Sequence, residues 1–234
     1  MRQFARRVET KLLGRPYLTK PDPKEYTTLV GKGSFVPCQV EAYFLALNQY
    51  VDEGAKVLDV GFGLGYGMNI LAIKAAEITG VDIDPKVLEY CQETVIGRNP
   101  RVKELMLYDG LHLKFPDNSF DVLTCVDVLE HVQEYDAFLD ELLRVARKGV
   151  LISTPFRRPE NTNSDGTPKN YWHLREWVYE ELDPILKHHS NQISWHYLNG
   201  PFEGPFTTST TVQPQTFTLT PFIYKPDTSH SGSN

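Results

Sequence analysis

The sequence predicts a doubly wound α/β domain with a mostly parallel sheet finished by a C-terminal antiparallel hairpin. Three observations carry this. From Lys56 to Pro155, short apolar runs alternate with segments of helical period. A glycine-rich turn, "GFGLGYG", follows the first apolar run directly. After Pro155 the alternation stops, and two extended stretches close the chain. Strands alternating with helices imply right-handed βαβ units and therefore parallel pairing. Continuous apolar runs in the strands imply a sheet covered on both faces.

Each element follows in order. Residues 1–33 mix prolines, charges and tyrosines, and read as a helix followed by an extended arm. Phe4, Val8 and Leu12 recur at helical spacing among Arg2, Arg6, Arg7, Lys11 and Arg15, a short amphipathic helix with a solvated basic face. Residues 38–51 form a helix with an apolar face. "KVLDV" is a strand, "YGMNILAIKAA" a helix and "EITGVDID" a strand. "PKVLEYCQETV" is a helix with Pro85 in its first turn and Asp84 as N-cap. "VKELMLYDG" and "FDVLTCV" are strands on either side of the loop "FPDNSF". "YDAFLDELLRVAR" is a helix that places Phe138, Leu142 and Val145 on one side, and "GVLISTP" is a strand stopped by Pro155. "FRRPENTNSDGTPKN" is a loop, "WHLREWVYEELDPIL" a helix, and "QISWHYLN" with "TFTLTPFIYK" the hairpin. The tail "DTSHSGSN" reads as disordered. All of this fits one domain: an N-terminal arm and helices (1–50), a core (55–155), a second part (156–226) and a tail (227–234).

Composition narrows the function. The chain has 41% hydrophobic and 23% charged residues, ordinary for a globular protein. A net charge of −6 argues against a large nucleic-acid footprint, which needs a basic stripe. Cys38, Cys91 and Cys125 are odd in number and widely spaced, so they suggest no disulfide framework and fit a reducing cytoplasm. The N-terminus lacks the apolar core of a signal peptide, and no run approaches the roughly 18 apolar residues of a membrane span.

A glycine turn after an apolar strand suits a nucleotide-containing ligand at the carboxyl edge of the sheet. The dinucleotide fingerprint G-x-G-x-x-G fails in both registers, because Tyr66 or Met68 stands where its last glycine belongs. No P-loop pattern occurs. What stands there is D-x-G-x-G-x-G: Asp59, Gly61, Gly63 and Gly65. This resembles the first motif of the class I S-adenosylmethionine-dependent methyltransferases. "GVDIDP" (residues 80–85) resembles their second motif. "YDGLHLKFPDNSFDVLTCVDVLEHV" (residues 108–132) resembles the third and fourth, as they occur in the subgroup containing the ubiquinone-biosynthesis O-methyltransferases. "LLRVARKGVLISTP" fits the helix and fifth strand that follow. The resemblance covers residues 55–155 and implies a Rossmann-like, seven-stranded sheet with S-adenosyl-L-methionine as cofactor.

The resemblance also implies roles. The backbone around Gly61 and Gly63 would meet the amino-acid tail, and Phe62 and Gly65 would also belong to the cofactor-binding turn. Asp82, about 20 residues past the glycines, sits at the offset of an acid that accepts ribose hydroxyls, with Ile83 beside it; the other reading is a helix-entry residue. Asp109 would accept from the adenine amino group, with Gly110 and Leu111 offering backbone, or be an ordinary Asp-Gly turn. Asp59 would lie near the tail's ammonium, or bond the amides of its own turn. Val126 and Asp127 would flank the sulfonium.

Methyl transfer from a sulfonium is an in-line displacement helped mainly by alignment and desolvation. A base is needed only where the acceptor must lose a proton. The D/N-P-P-Y/F motif of exocyclic-amino methyltransferases is replaced here by "VDVLEHV", which leans towards oxygen. The candidate catalytic residues are Asp127, His131 and His173, with His131 as a general base because histidine is the side-chain type suited to proton transfer near neutral pH. Asp127, Glu130 and His131, with His173, also resemble an E-x-x-E-H metal cluster of some ubiquinone-pathway and small-RNA methyltransferases. Relatives with "LEHV" and no metal use Glu130 and His131 structurally, and the expectation is no metal. Tyr171, Trp172, His173 and Arg175 are the candidate acceptor contacts, and Trp177 is read as core. Residues 199–215 could be a lid or a homodimer contact. The expected function is O-methylation of a small molecule: a sugar, phenol or quinone precursor. N-methylation of a small amine and a non-catalytic cofactor-binding scaffold are the alternatives.

Overall fold

The structure, a computed structural model, describes residues 36–201 and 203–226. The basic amphipathic helix and arm expected in residues 1–33, and the tail 227–234, lie outside the described residues.

The chain enters through α1 (Pro37–Gln49), then runs β1 (Lys56–Val60), α2 (Tyr66–Leu71), β2 (Glu77–Asp82), α3 (Pro85–Thr94), β3 (Val102–Leu107), β4 (Phe120–Val126), α4 (Tyr135–Val145) and β5 (Ala146–Pro155). These five strands lie parallel in the order β3-β2-β1-β4-β5. The chain begins in the middle, winds out to β3 and returns to β4 beside β1. The switch point therefore falls between β1 and β4, where Val60 pairs with Cys125. A crevice opens there, beyond the carboxyl ends of both strands.

Local chemistry explains the helices. Pro85 opens α3, and the Asp84 side chain accepts from Lys86 N at 2.8 Å, as expected of an N-cap. In α4, Phe138, Leu139, Leu142 and Leu143 make one buried stripe. α2 ends sooner than its helical pattern suggests. The Arg101 guanidinium takes the carbonyls of Ala72, Ile73 and Ala75, at 2.6, 3.1 and 3.1 Å, and the chain leaves the helix at that point.

A second departure falls after β5. The expected helix over "WHLREWVYEELDPIL" begins only at Tyr179, as α5 (Tyr179–His189). Residues 171–178 are held extended or in turns. Leu174 N donates to Glu130 O at 2.9 Å, Trp177 bridges Phe156 in parallel, and Arg157 N donates to Trp177 O at 2.8 Å. Those tertiary bonds use backbone groups that a helix would need for itself.

The C-terminal hairpin is present, with both arms broken. One arm is β6 (Ile193–Ser194) and β7 (Tyr197–Asn199); the other is β9 (Thr216–Leu219) and β10 (Phe222–Tyr224). β9 and β10 keep a single antiparallel register against β5, Leu219 on Thr154 and Phe222 on Leu151. Pro221, which has no N–H, interrupts them. The expected seven strands are thus five parallel strands and two split arms. β8 (Thr207–Ser209), unforeseen, adds to β7 at the outer edge and takes up part of residues 199–215. Apolar clusters cover both faces of the sheet, one with α1 and α2, the other with α4 and α5. Among the described residues, no helix is long and apolar enough to cross a membrane.

Candidate active site

The turn after β1 is built for close approach by a ligand. Gly61 has φ +72°, and a Cβ there would fall 2.4 Å from Val128 Cγ2. Gly63 has φ +49°, with open space where its Cβ would be. Its N–H donates to Asp82 Oδ2 at 3.0 Å, while Asp82 Oδ1 accepts from Asp84 N at 3.0 Å. One carboxylate at the end of β2 thereby shapes the glycine turn and the entry to α3. Each of its oxygens keeps a second lone pair for a hydroxyl.

Asp59, in β1, is fully buried. It accepts from Tyr43 Oη at 3.0 and 3.2 Å and from Thr124 Oγ1 at 2.7 Å. Burial pushes its carboxyl up to about 7. Of the two readings offered for Asp59, bonds to the amides of its own turn are absent among the described residues, and Tyr43 and Thr124 supply its donors instead. The carboxylate braces β1 against α1 and β4 behind the site.

In front of it lies a cavity of about 380 Å³, within the size range of small-molecule sites. Its floor is the Gly61, Phe62, Gly63 and Leu64 turn; Val36, Gln39 and Tyr43 roof it; Tyr66, Val126 and Asp127 close the side. The ribose and adenine candidates lie off this lining: Asp82 is buried beside the glycine turn, and the adenine candidates are more open. Ile83 is 63% exposed there. Asp109 bonds within its own turn: Oδ1 accepts from Leu111 N at 2.9 Å and from His112 N at 2.7 Å, and Oδ2 pairs with the His112 ring and keeps a lone pair. Those bonds hold its carboxyl well below the usual range. Gly110 stands beside Ile83. The cavity and its backbone floor, with an acid at the edge, fit a cofactor bearing an amino-acid tail and a ribose.

Asp127 ends β4 with φ +53°, a left-handed conformation that costs a non-glycine residue about 1 kcal/mol or more. Bonds from both sides hold it there. Its N–H donates to Ser153 O at 3.0 Å, Ser153 Oγ donates to Oδ1, and Gln39 Nε2 donates to Oδ2 at 3.0 Å. Burial pushes this carboxyl up; the Ser153 and Gln39 bonds and the nearby His173 and His131 pull it down.

The two histidines meet edge to face, 5.0 Å between ring centres. His131 Nδ1 lies 2.7 Å from Trp172 O. A carbonyl only accepts, so Nδ1 carries a hydrogen, and in the neutral ring Nε2 then keeps its lone pair. His173 is more constrained. Its Nδ1 faces Glu176 Oε1 at 2.7 Å, and its Nε2 faces the Asn170 amide at 2.8 Å. Glu130, His131 and His173 could each offer a ligand atom to one cation, whereas Asp127 is not in that group. Both oxygens of Glu130 are buried without a hydrogen-bond partner.

Of the expected acceptor contacts, Tyr171 (88% exposed) and Trp172 (75%) form an edge-to-face pair open to solvent. Arg175 is used internally, donating to Val132 O at 2.9 Å and lying over the Tyr135 ring. Trp177 is core, as read from the sequence. The sequence reading missed Gln39, Tyr43, Tyr66 and Ser153. Gln39 and Tyr43, four apart on the same helix and so on one face of it, were the available signal.

Comparisons with known proteins agree with this geometry. Residues 58–153 match the family model described as "Methyltransferase domain". A Mycobacterium tuberculosis protein named probable S-adenosylmethionine-dependent methyltransferase is 32% identical over 168 residues, 68% of this chain and 59% of that protein. The chain thus spans under two thirds of that relative's length. A phosphatidylethanolamine N-methyltransferase of Cereibacter sphaeroides is 36% identical over 110 residues, 45% of this chain and 53% of that protein. A Thermotoga maritima structure titled as a SAM-dependent methyltransferase, possible histamine N-methyltransferase, superposes with TM-score 0.63 at 17% identity. It covers 96% of this chain and 100% of that one, a likeness of fold.

Proposed function

Since the chain carries a class I S-adenosylmethionine-dependent methyltransferase domain, we propose that it transfers the methyl group to an oxygen of a small molecule, such as a sugar, a phenol or a quinone precursor. The observation that carries this reading is the Asp127 carboxylate, which lines the cavity and accepts from Gln39, with His131 near enough for its charge to act on it and its Nε2 without a hydrogen-bond partner among the described residues. A hydroxyl acceptor needs an acceptor and a base of this kind, because it must lose a proton as it is methylated.

Gly61 and Gly63 hold the amino-acid tail through backbone, with Phe62 and Gly65 shaping the turn. Asp82 accepts the ribose hydroxyls, and the rim of Ile83, Asp109, Gly110 and Leu111 takes the adenine. When bound, the cofactor supplies a methyl group already activated by its sulfonium. Asp127 receives the acceptor's hydrogen bond, Val126 excludes water beside it, and His131 takes the proton on Nε2. His173, clamped by Glu176 and Asn170, supports the ring of His131. Tyr171 and Trp172 offer aromatic faces to an incoming acceptor. The three cysteines are buried and free, which suits the cytoplasm, and the net charge of −6 disfavours nucleic acid as the acceptor. A homodimer is compatible with this reading.

N-methylation of a small amine is the second reading, favoured by the name of the Cereibacter sphaeroides relative. The third is a scaffold that binds the cofactor without turnover. Alanine at Asp127, at His131 and at His173 separates the scaffold reading. Turnover falls in all three variants while S-adenosylhomocysteine affinity survives if the protein is an enzyme.

A further inference from the structure

Gln39 reaches Asp127 from the helix ahead of the sheet, 88 residues away in sequence. The polarity of the bonds around it is fixed. An ionised carboxylate only accepts, so the Gln39 amide must turn Nε2 towards Asp127 Oδ2. Its Oε1 then faces Tyr66, whose hydroxyl donates to it. On the other side Ser153 Oγ, already receiving the Asp127 N–H at 3.2 Å, donates to Oδ1. Both carboxylate oxygens are therefore engaged by donors, from α1 and from β5. Gln39, Tyr66 and Asp127 line the same cavity.

We propose that Gln39 is a positioning residue for methyl transfer: with Ser153 it fixes the Asp127 carboxylate as a pure hydrogen-bond acceptor facing the cavity, and so selects acceptors that bring their own hydrogen, O–H or N–H. Tyr66 acts one step further out, by holding the Gln39 amide the right way round. An acceptor atom without a hydrogen meets only lone pairs there and is repelled. The inference rests on the methyl-transfer reading but not on the choice of oxygen over nitrogen. Other titratable groups also face Asp127: Cys38 and Tyr43 from α1, Tyr66 from α2, Cys125 from β4, and Glu130, His131 and His173 beyond the strand ends. None of them donates a hydrogen bond to its carboxylate among the described residues.

The test needs no acceptor. Sinefungin carries an amine where the cofactor carries its methyl group; S-adenosylhomocysteine carries nothing there. The ratio of their dissociation constants, measured by calorimetry from pH 5 to 9, reads the accepting power of whatever faces the methyl position. Wild type should favour sinefungin roughly tenfold, a charge-assisted bond's worth. Asp127→Asn should lose that preference at every pH. Gln39→Met should keep it only at higher pH, its midpoint moved up by about one unit or more, because one of two donors to the carboxylate is gone. Tyr66→Phe should move the midpoint the same way by less. Because these residues line the cavity, S-adenosylhomocysteine affinity can shift as well, and taking the ratio at each pH removes that shift. A midpoint unchanged in both Gln39→Met and Tyr66→Phe, or a preference that survives Asp127→Asn, overturns the inference. If neither ligand binds wild type, the cofactor reading itself has failed, which is a different result.

Discussion

The Tyr43 ring lies directly over Gly67, so close that a Cβ on Gly67 would fall 2.1 Å from its Cζ. That contact seats α1 against α2, and it lets the Tyr43 hydroxyl reach Asp59 at 3.0 Å. The last glycine of the glycine-rich stretch, already inside α2, thus serves packing, and the packing roofs the cavity.

Gly67→Ala should therefore destabilise the fold by about 1–3 kcal/mol through overpacking. Tyr43→Phe keeps the ring and removes only the donor to buried Asp59, also about 1–3 kcal/mol. Urea unfolding of both variants checks this. A Gly67→Ala midpoint equal to wild type would show that Tyr43 can move aside freely.

Asp59 should make stability depend on pH. Its ordinary value is 3.8 and burial lifts it to about 7, so the folded chain holds the proton more tightly than the unfolded one. The stabilisation is complete below about pH 4 and is lost as pH rises through about 7. Glu130 and Asp127 are raised as well and act in the same direction, so a variant must isolate Asp59. Between pH 5 and 7, wild type should lose stability relative to Asp59→Asn by about 1 kcal/mol per pH unit. Parallel curves would contradict this.

Asp82→Ala should weaken S-adenosylhomocysteine by roughly 10- to 100-fold, the range of lost bonds to a charged group. It also frees the amides of Gly63 and Asp84, so the turn itself should loosen. Calorimetry measures the first effect and amide hydrogen exchange at Gly63 the second.

Divalent cations should leave the protein unchanged. His131 Nδ1 and both His173 nitrogens already have partners, so the cluster offers a cation only Glu130 and His131 Nε2 without rearrangement. Two ligands fall short of a metal's usual set. Magnesium, manganese or zinc should not raise the melting temperature, and a chelator should not lower it. A rise of several degrees, lost in Glu130→Gln, would identify a metal centre.

Much of this site was legible along the chain, because a βα repeat delivers its strand ends in order. Asp59, Asp82, Asp109 and Asp127 each fall at or just past a strand's carboxyl end, where such folds keep their ligands. What stayed hidden depends on contacts distant in sequence. "WHLREW" has helical composition, yet the backbones of Leu174 and Trp177 bond Glu130 and Arg157 and are held out of a helix. The donors to Asp59, Tyr43 and Thr124, lie 16 and 65 residues away and were equally out of reach of spacing. Gln39 could not be assigned a partner 88 residues away from spacing alone.

The central claim is a base-assisted transfer to oxygen at Asp127 and His131. Incubation with S-adenosylmethionine labelled with ¹³C in the methyl group, against a panel of sugars, phenols, hydroquinones and small amines, tests it most directly by NMR. The account predicts a new O–CH₃ resonance, lost in Asp127→Ala and His131→Ala while S-adenosylhomocysteine still binds. Label arriving as N–CH₃, or no labelled product from a protein that binds the cofactor, would contradict it.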